Sequence, residues 1–358
     1  MNAVLNMIRP GRSRYFFALM LSLLADWGMG SNIAWAGVGL SEIPANATDG
    51  PVTLYYPSHD DMRVIHHGRL DLTAAAQGAP VRGNGHLIII SHGSGGSPWV
   101  HADLATALVN AGFVVALPEH HADNYKDDSH PGPDSWTLRP REVSRAIDAV
   151  GRDPRFAPLL NLDKVGVYGM SAGGHTALSM AGGRWSPAGF KQHCEADLAE
   201  DFQSCVGLNT RLTGGMLDGL KKWVALLIIR HRFSDTTMRE HHDPRVAAVV
   251  AGVPAAADFD MTSLENPSVL LGLVTARQDR WLVPKFHGER VMQACKTCER
   301  IADIQTGGHG ALLSPLPPGF TGLLGDMLND PPGFDRSQIA DVDQKITAFF
   351  AKHLLSQQ

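Results

Sequence analysis

The chain has 358 residues and a formal net charge of −5, from 31 Lys and Arg against 36 Asp and Glu. Hydrophobic residues make up 44% and charged residues 19%, which excludes a largely disordered chain and allows a sizeable core. Because the sequence has no basic block, it argues against nucleic-acid binding, which needs a clustered cationic face. The length suits one large α/β domain with an insertion.

The N-terminal residues 1–36 have the pattern of a targeting segment. Three arginines between residues 9 and 14 precede the apolar run Tyr15–Ala25, which is too short to span a bilayer comfortably. Ala-Trp-Ala at 34–36 supplies the small-x-small pattern that a signal peptidase accepts. We therefore predict a signal peptide, export to the periplasm or medium, and no stable membrane span after cleavage. A membrane anchor is the alternative.

All four cysteines follow that segment, at Cys194, Cys205, Cys295 and Cys298. An even number in an exported chain predicts two disulfides, and sequence neighbours are the favoured partners, Cys194 with Cys205 and Cys295 with Cys298. The Cys-x-x-Cys pair could instead be a redox motif or half a metal site. It follows a helical stretch, whereas a redox pair would open a helix after a strand, so a structural disulfide is favoured.

In chain order, residues 37–83 contain short strand-like pieces, and an alternation of strands and helices begins at Leu87. Apolar runs predict strands at 87–90, 113–117, 165–168, 247–250, 269–274 and 301–304. Helical patterns fall at 101–111, from Pro140 to about 150, at 172–180, at 285–294, and from about 337 to 355. This alternation predicts the α/β class, with a doubly wound, mostly parallel sheet.

The segment 183–243 interrupts that rhythm. It combines mixed polarity with two cysteines and one amphipathic stretch at 220–230. We predict that 37–358 forms one domain and that 183–243 is an insertion covering the sheet as a cap. In such sheets, ligands bind at the carboxyl ends of the strands, so the candidate chemistry should lie there.

A G-x-S-x-G motif at 169–173 follows the strand 165–168 and opens a helix. This strand–turn–helix context is that of a nucleophile elbow, in which a sharp turn lifts the serine hydroxyl clear of the sheet. Ser171 is therefore the predicted nucleophile. Its position at a helix N-terminus favours developing negative charge.

The small residues at 91–96, Ser-His-Gly-Ser-Gly-Gly, follow the strand 87–90 and let backbone approach a substrate oxygen closely. In this arrangement the loop supplies one oxyanion N–H and the residue after the nucleophile the other. We predict Ser94 and Ala172 as the donors and a supporting role for His92. A phosphate-binding loop is disfavoured, because neither glycine-rich phosphate motif is present.

Among 17 histidines, His309 is the predicted base, because it follows the strand 301–304 in a glycine-rich turn. Its place after the serine and the acid matches the chain order Ser, acid, His of this fold. Asp279 directly follows the strand 269–274 and is the predicted acid. Asp258 and Asp260, one strand earlier, are the competitors.

The loop after the strand 113–117 is rich in potential ligands. We predict it to be a rim of the active-site cleft and disfavour a metal site, because adjacent histidines diverge. No cofactor is expected. The residues concerned are His120, His121, Asp123, Asp127 and Asp128.

With these motifs the chain resembles the bacterial predicted dienelactone hydrolase family of the α/β-hydrolase superfamily and, more distantly, the platelet-activating-factor acetylhydrolases. The matching pieces are PVTLYYP, LIIISHGSGGSPW, RPREVSRAID, VGVYGMSAGG, LLGLVTARQDRWLVP and TGGHGALLSP, which span most of 51–315. The resemblance implies the α/β-hydrolase fold, the triad Ser171–Asp279–His309 and the oxyanion donors Ser94 and Ala172. It also implies that Cys194 and Cys205 form the cysteine pair of the cap.

Two departures qualify the resemblance. Dienelactone hydrolases use a cysteine nucleophile where this chain has Ser171, so dienelactone is not the expected substrate. The acetylhydrolases place the acid one strand earlier, which keeps Asp258 and Asp260 open.

The predicted function is an exported serine esterase that forms an acyl-enzyme with a small-molecule or lipid ester. Alternatives on the same triad are a lipase, a phospholipase A-type enzyme, a polyester hydrolase or an amide hydrolase. A non-enzymatic binding protein on the hydrolase fold is the alternative from another class.

Overall fold

The computed structural model describes residues 37–317 and 319–356; the predicted signal peptide lies outside them. Within these ranges the strands are β1 (Gly37–Ile43), β2 (Val52–Ser58), β3 (Arg63–His67), β4 (Leu70–Ala76), β5 (Leu87–Ser91), β6 (Val114–Pro118), β7 (Val165–Met170), β8 (Arg184–Trp185), β9 (Val246–Gly252), β10 (Phe259–Asp260), β11 (Leu270–Ala276) and β12 (Glu299–Ile304). The α-helices are α1 (Ala102–Asn110), α2 (Pro133–Arg152), α3 (Ala172–Met180), α4 (Pro187–Asp197), α5 (Phe202–Val206), α6 (Asp218–Arg232), α7 (Gly288–Ala294), α8 (Gly322–Leu328) and α9 (Ile339–Leu354).

Ten of these strands form one sheet in the order β12-β11-β9-β7-β5-β6-β2-β1-β4-β3. From β12 to β6 every neighbouring pair is parallel, whereas β2 joins β6 antiparallel and leads into the β1–β4 end. The central strands are buried along their whole length, as expected for a parallel sheet covered on both faces. The predicted mostly parallel α/β sheet is confirmed.

Two apolar clusters fill the space on either side of the sheet. On one face α1 and α9 pack together, with Leu108 and Phe350 fully buried. On the other face α2 and α3 pack together, with Ile147 and Leu178 fully buried. Both clusters are continuous with the sheet, so they hold the strand ends that carry the candidate site.

Helix α2 differs from the prediction. It begins at Pro133, and Pro140, the predicted first residue, lies inside it. A proline inside a helix removes one backbone donor and disfavours a helical residue before it, which is why the sequence pattern indicated a start there. The preceding residue, Arg139, is fully buried and its guanidinium donates five hydrogen bonds, which hold it in the helical conformation before Pro140.

The segment 183–243, called the cap below after the prediction, contains β8 and the helices α4, α5 and α6, which enclose an apolar cluster of their own around Phe190 and Phe202. A disulfide with an S–S distance of 2.06 Å joins Cys194 of α4 to Cys205 of α5. Cys295 and Cys298, between α7 and β12, are 1.97 Å apart. Both predicted cysteine pairs are therefore at disulfide distance. No helix in the described part of the chain combines the length and hydropathy needed to cross a bilayer.

Candidate active site

Ser171 lies at the turn between β7 and α3 with φ 60° and ψ −118°. A positive φ is strained for a residue with a side chain, and such strain is typical of a nucleophile elbow. The turn requires glycine on both sides. A Cβ on Gly169 would lie 1.8 Å from the Gly173 oxygen, and a Cβ on Gly173 would lie 1.9 Å from the Ser91 oxygen. These close approaches lock the β7–α3 turn against the end of β5.

A chain of hydrogen bonds joins the three residues predicted as a triad. The Oγ of Ser171 is 3.0 Å from Nε2 of His309, and Nδ1 of the same ring is 2.8 Å from Oδ2 of Asp279. The other carboxylate oxygen of Asp279 accepts bonds from the backbone N–H groups of Trp281 and Leu282. Because both oxygens are engaged, the carboxylate has a fixed orientation and in turn orients the imidazole.

The two competing carboxylates have other partners. Asp258 is buried and bonded to Nε2 of His175 at 2.9 Å. Asp260 pairs with Arg184 at 3.0 Å near the surface. The fully buried ring of His175 stacks on Trp136 in the core of the α3 side, so this second His–Asp pair belongs to the packing around the elbow.

The predicted oxyanion donors lie beside the serine. Ser94 and Ala172 line the same cavity as Ser171 and His309, and Gly95 next to Ser94 has a φ of +62°. Backbone N–H groups at a loop and at a helix N-terminus are the donors that suit a developing oxyanion.

The sequence analysis missed the residues that hold this loop. Oδ1 of Asp123 accepts from the hydroxyl of Ser94 at 2.5 Å and from the backbone N–H of Gly95 at 3.0 Å. Its other oxygen is 2.8 Å from the guanidinium of Arg139, and neither of these two side chains is exposed. A second guanidinium nitrogen donates to the carbonyl oxygen of His92.

This ion pair is unusual because it is entirely buried. Burial alone would raise the pKa of Asp123, but the Arg139 guanidinium and the hydroxyls of Ser135 and Ser94 lower it to about 2. The Asp123 carboxylate is therefore ionised at neutral pH. A buried pair contributes geometry more than stability, and here it fixes the loop that carries the predicted oxyanion donor.

The rest of the ligand-rich loop is divided between surface and core. Asp128 lines the cavity at Ser171, as predicted for a rim residue. His120 is buried behind it, with Nδ1 2.6 Å from Glu142 and Nε2 2.7 Å from the hydroxyl of Ser91. Burial, together with the nearby Arg139 cation, holds the pKa of His120 well below its ordinary value. Both ring nitrogens are thus used by protein partners, which disfavours a metal ion here.

A second cluster with potential metal ligands was also missed. His193, Asp201 and His287 are buried, and their nearest ligand atoms lie within 4.8 Å of one another. The backbone N–H of Ala256 donates to Nδ1 of His287 at 2.9 Å, so the ring carries its proton on Nε2 and donates it to Asp201. A metal would need that same nitrogen unprotonated. The cluster therefore fits a hydrogen-bonded junction better than a metal site.

That junction connects the cap to the loop after Asp279. Oδ2 of Asp201 is 2.8 Å from Nε2 of His193 in α4 and 2.8 Å from Nε2 of His287, while Oδ1 accepts from the backbone N–H of Val283. Burial opposes ionisation, but hydrogen bonds from the two histidines hold the pKa of Asp201 well below its ordinary value. One ionised carboxylate thus links the cap helices to the segment that positions Asp279.

The cavity at Ser171 has a volume of about 550 Å³. Its lining combines the loop at Ser94, the bonded side chains Ser171 and His309, and side chains of the segment 183–243. Four aromatic side chains contribute to the wall: Trp136, Phe190, Phe233 and Trp281. This size and lining suit a small organic molecule with an apolar part.

Among solved structures, a ferulic acid esterase from Streptomyces cinnamoneus has a similar fold. The two chains are 16% identical with a TM-score of 0.54, and the match covers 90% of this chain and 93% of that one. This chain has the α/β-hydrolase fold. No family model and no curated protein matches the sequence. The likeness shows the fold alone, and kinship with the dienelactone hydrolases or the acetylhydrolases stays a prediction.

Proposed function

We propose that the protein is an exported carboxylic ester hydrolase that works through a covalent acyl-enzyme on Ser171. The observation that carries this proposal is the bonded series Asp279–His309–Ser171 at a cavity that Ser94 and Ala172 also line. A nucleophile bonded to a base that is itself oriented by a third group is the arrangement that nucleophilic catalysis needs. Export is supported by the two cysteine pairs at disulfide distance.

In the proposed reaction, Oγ of Ser171 attacks the ester carbonyl while Nε2 of His309 takes its proton. The same nitrogen then protonates the departing alcohol, and the acyl group remains on the serine. A water molecule, deprotonated by His309, attacks the acyl-enzyme and releases the acid. The N–H groups of Ser94 and Ala172 hold the oxyanion in both steps, and Asp279 stabilises the imidazolium without taking its proton.

The substrate class is proposed from the cavity. Its aromatic wall suits an apolar or flat acyl group, and the ferulic acid esterase of similar fold is named for an aromatic acid. A lipase, a phospholipase A-type enzyme or a polyester hydrolase would use the same triad. A series of p-nitrophenyl esters of increasing acyl length separates these possibilities, because hydrolysis confined to short chains excludes a lipase.

The test combines fluorophosphonate labelling with turnover. We expect the probe to label Ser171, and we expect Ser171→Ala to lower kcat on p-nitrophenyl acetate by at least ~10⁴-fold. Ser179→Ala, on the same helix but bonded to the backbone oxygen of His175, is the matched control and should keep wild-type turnover. Labelling of another residue would overturn the proposal. A biological function that survives in Ser171→Ala would favour a binding protein.

A further inference from the structure

The outer face of α6 exposes a continuous row of large apolar side chains. The spacing i, i+3, i+4, i+7 and i+8 puts them on one side of the helix, and the opposite side packs into the cap through Ala225 and Ile229. Soluble proteins rarely leave such a contiguous apolar surface in water without a binding role. We call it the α6 stripe; it consists of Leu220, Trp223, Val224, Leu227 and Ile228, each between 39% and 62% exposed.

Cationic residues surround the α6 stripe. Between residues 208 and 233 the chain has five Lys or Arg and one Asp, although the whole protein carries a net charge of −5. Arg230 follows Leu227 by three residues and Arg232 follows Ile228 by four, so helical periodicity places them on opposite flanks of the stripe. Arg230 is paired with Glu195, Lys221 with Asp218 and Arg211 with Asp326. Among the described residues, Lys222 and Arg232 are the cations of this segment without an ion pair, so the apolar row has unbalanced positive charge chiefly on the Arg232 side.

This combination selects among possible partners. A second copy of the chain, paired stripe to stripe, would bring the cations of two α6 helices together, and like charges at close range destabilise an interface. An anionic lipid surface satisfies both features, because the head groups meet the cations while the apolar row enters the acyl boundary. Trp223, the most exposed member of the stripe at 62%, is of the residue type enriched at that boundary.

A cavity of about 450 Å³ adjoins the stripe. Leu220, Val224 and Ile228 belong to both the exposed row and the cavity wall, so the cavity opens beside the row. The cavity borders the one at the candidate active site, because five residues line both: Cys205, Val206, Asn209, Arg232 and Phe233. An apolar chain beside α6 would thus lie next to the cavity that holds Ser171.

We infer that the α6 stripe docks on an anionic lipid surface and that the adjoining cavity receives the acyl chain of a lipid ester cleaved at Ser171. The docking surface depends only on the exposed row and its charges. The acyl-chain route rests on the proposed ester hydrolase function. The substrate class is accordingly an ester of a lipid drawn from a membrane or micelle, with the acyl chain beneath α6.

The test is vesicle sedimentation with the exported form of the chain, residues 37–358 without the predicted signal peptide, and with its double variant Trp223→Glu/Leu227→Glu. Both residues lie outside the linings of the two cavities. We expect the wild type to sediment with vesicles of equal parts phosphatidylcholine and phosphatidylglycerol, less with phosphatidylcholine alone, and less as salt rises. The double variant should bind the anionic vesicles more than tenfold more weakly. Val64→Glu, which changes an apolar residue 57% exposed on β3, is the matched control and should bind as the wild type does.

Turnover is measured on the same samples. On p-nitrophenyl acetate in solution the double variant should match the wild type, whereas its hydrolysis of a phosphatidylglycerol ester in vesicles should fall more than tenfold. Equal binding by the wild type and the double variant, or an equal loss in Val64→Glu, would overturn the docking inference. A concentration-dependent dimer that only the double variant loses would assign the stripe to a second copy. Loss of acetate hydrolysis in Ser171→Ala separates these outcomes from a failure of the ester hydrolase proposal.

Discussion

The two sides of the site cavity hold their residues by opposite means. On the sheet side, charges are buried and fully paired, as with Asp123 and Arg139, neither of which is exposed. On the cap side, α6 leaves Trp223 62% exposed and packs on a small apolar cluster through Ala225 and Ile229. Under the proposed function, the sheet side would fix the geometry of the reacting groups, whereas the cap side would contact the lipid surface that supplies the substrate. Substitutions on the sheet side should then change turnover and the free energy of unfolding, whereas substitutions on α6 should change binding to lipid.

The largest effect is expected from Asp123→Asn on the sheet side. The amide keeps the shape of the side chain but leaves the Arg139 guanidinium without its charge partner and loosens the loop at Ser94. We expect kcat to fall about 10²-fold with little change in KM, since an oxyanion donor contributes about 10²–10³. The free energy of unfolding should fall by about 3 kcal/mol, because one buried charge becomes unpaired.

Steady-state kinetics on p-nitrophenyl acetate and urea unfolding measure both quantities. Asp127→Asn is the control, since Asp127 lies on the same loop but at the surface, bonded to the backbone N–H of Ser129. Wild-type turnover in Asp123→Asn, or an equal loss of turnover in Asp127→Asn, would contradict the claim that the buried Asp123–Arg139 pair positions the loop at Ser94.

A smaller effect is expected where the two sides meet, from Asp201→Asn. An asparagine has one carbonyl oxygen and cannot serve His193, His287 and the Val283 N–H together. The segment after Asp279 should loosen, and we expect kcat to fall about tenfold, because small displacements of a catalytic group are costly. The rate of fluorophosphonate labelling should fall in parallel.

Asp235→Asn is the matched control for this junction, because Asp235 lies in the same segment but is 45% exposed and paired with Arg239. Unchanged labelling in Asp201→Asn would mean that the cap does not influence the triad. An equal loss in both variants would mean that the cap acts only through its general stability.

The smallest expected effect is on the pH dependence of the free energy of unfolding, and it concerns Asp343 on the sheet side. Burial, with a smaller contribution from Asp103, raises the pKa of Asp343 in α9 to about 7. Its unfolded value is near 3.8, so the folded state binds more protons between those limits and stability should decline as pH rises from about 4 to 7. Asp343→Asn removes this dependence and should raise the free energy of unfolding by about 1 kcal/mol at pH 8.

Urea midpoints at pH 5 and pH 8 test the prediction. The wild type should lose stability between these values more steeply than the variant, while both hydrolyse p-nitrophenyl acetate equally. Parallel pH profiles for the two proteins would show that Asp343 is not the group responsible.

The sheet, the strained turn at Ser171 and the three residues bonded in series could be predicted from the sequence because each has a local signal. Ser171 stands between an apolar strand and a helix, and Asp279 and His309 follow strands in the expected order. The choice between Asp279 and Asp258 was less secure, since both follow strands. The structure distinguishes them by their partners, His309 for one and His175 for the other.

The supporting residues could not be found in the same way, because their bonds join distant parts of the chain. Asp201 and His287 are 86 residues apart, and no local pattern connects them. Arg139 was not predicted to be helical, because Pro140 indicated a helix start and so placed Arg139 in the preceding loop. The amphipathic character of 220–230 was visible, but periodicity alone does not say that its apolar face points to water.

The carboxylate at 201 also limits how the segment 183–243 could be exchanged. If the cap were replaced by another one, Asp201 would be lost with it. His287, which lies outside the cap, would then have no carboxylate to accept the hydrogen bond of its Nε2. A transplanted cap would need to bring an acidic side chain to the same spot, or His287 would have to be exchanged for an apolar residue at the same time. We expect a replacement cap without such a side chain to leave the segment after Asp279 displaced and to lower turnover.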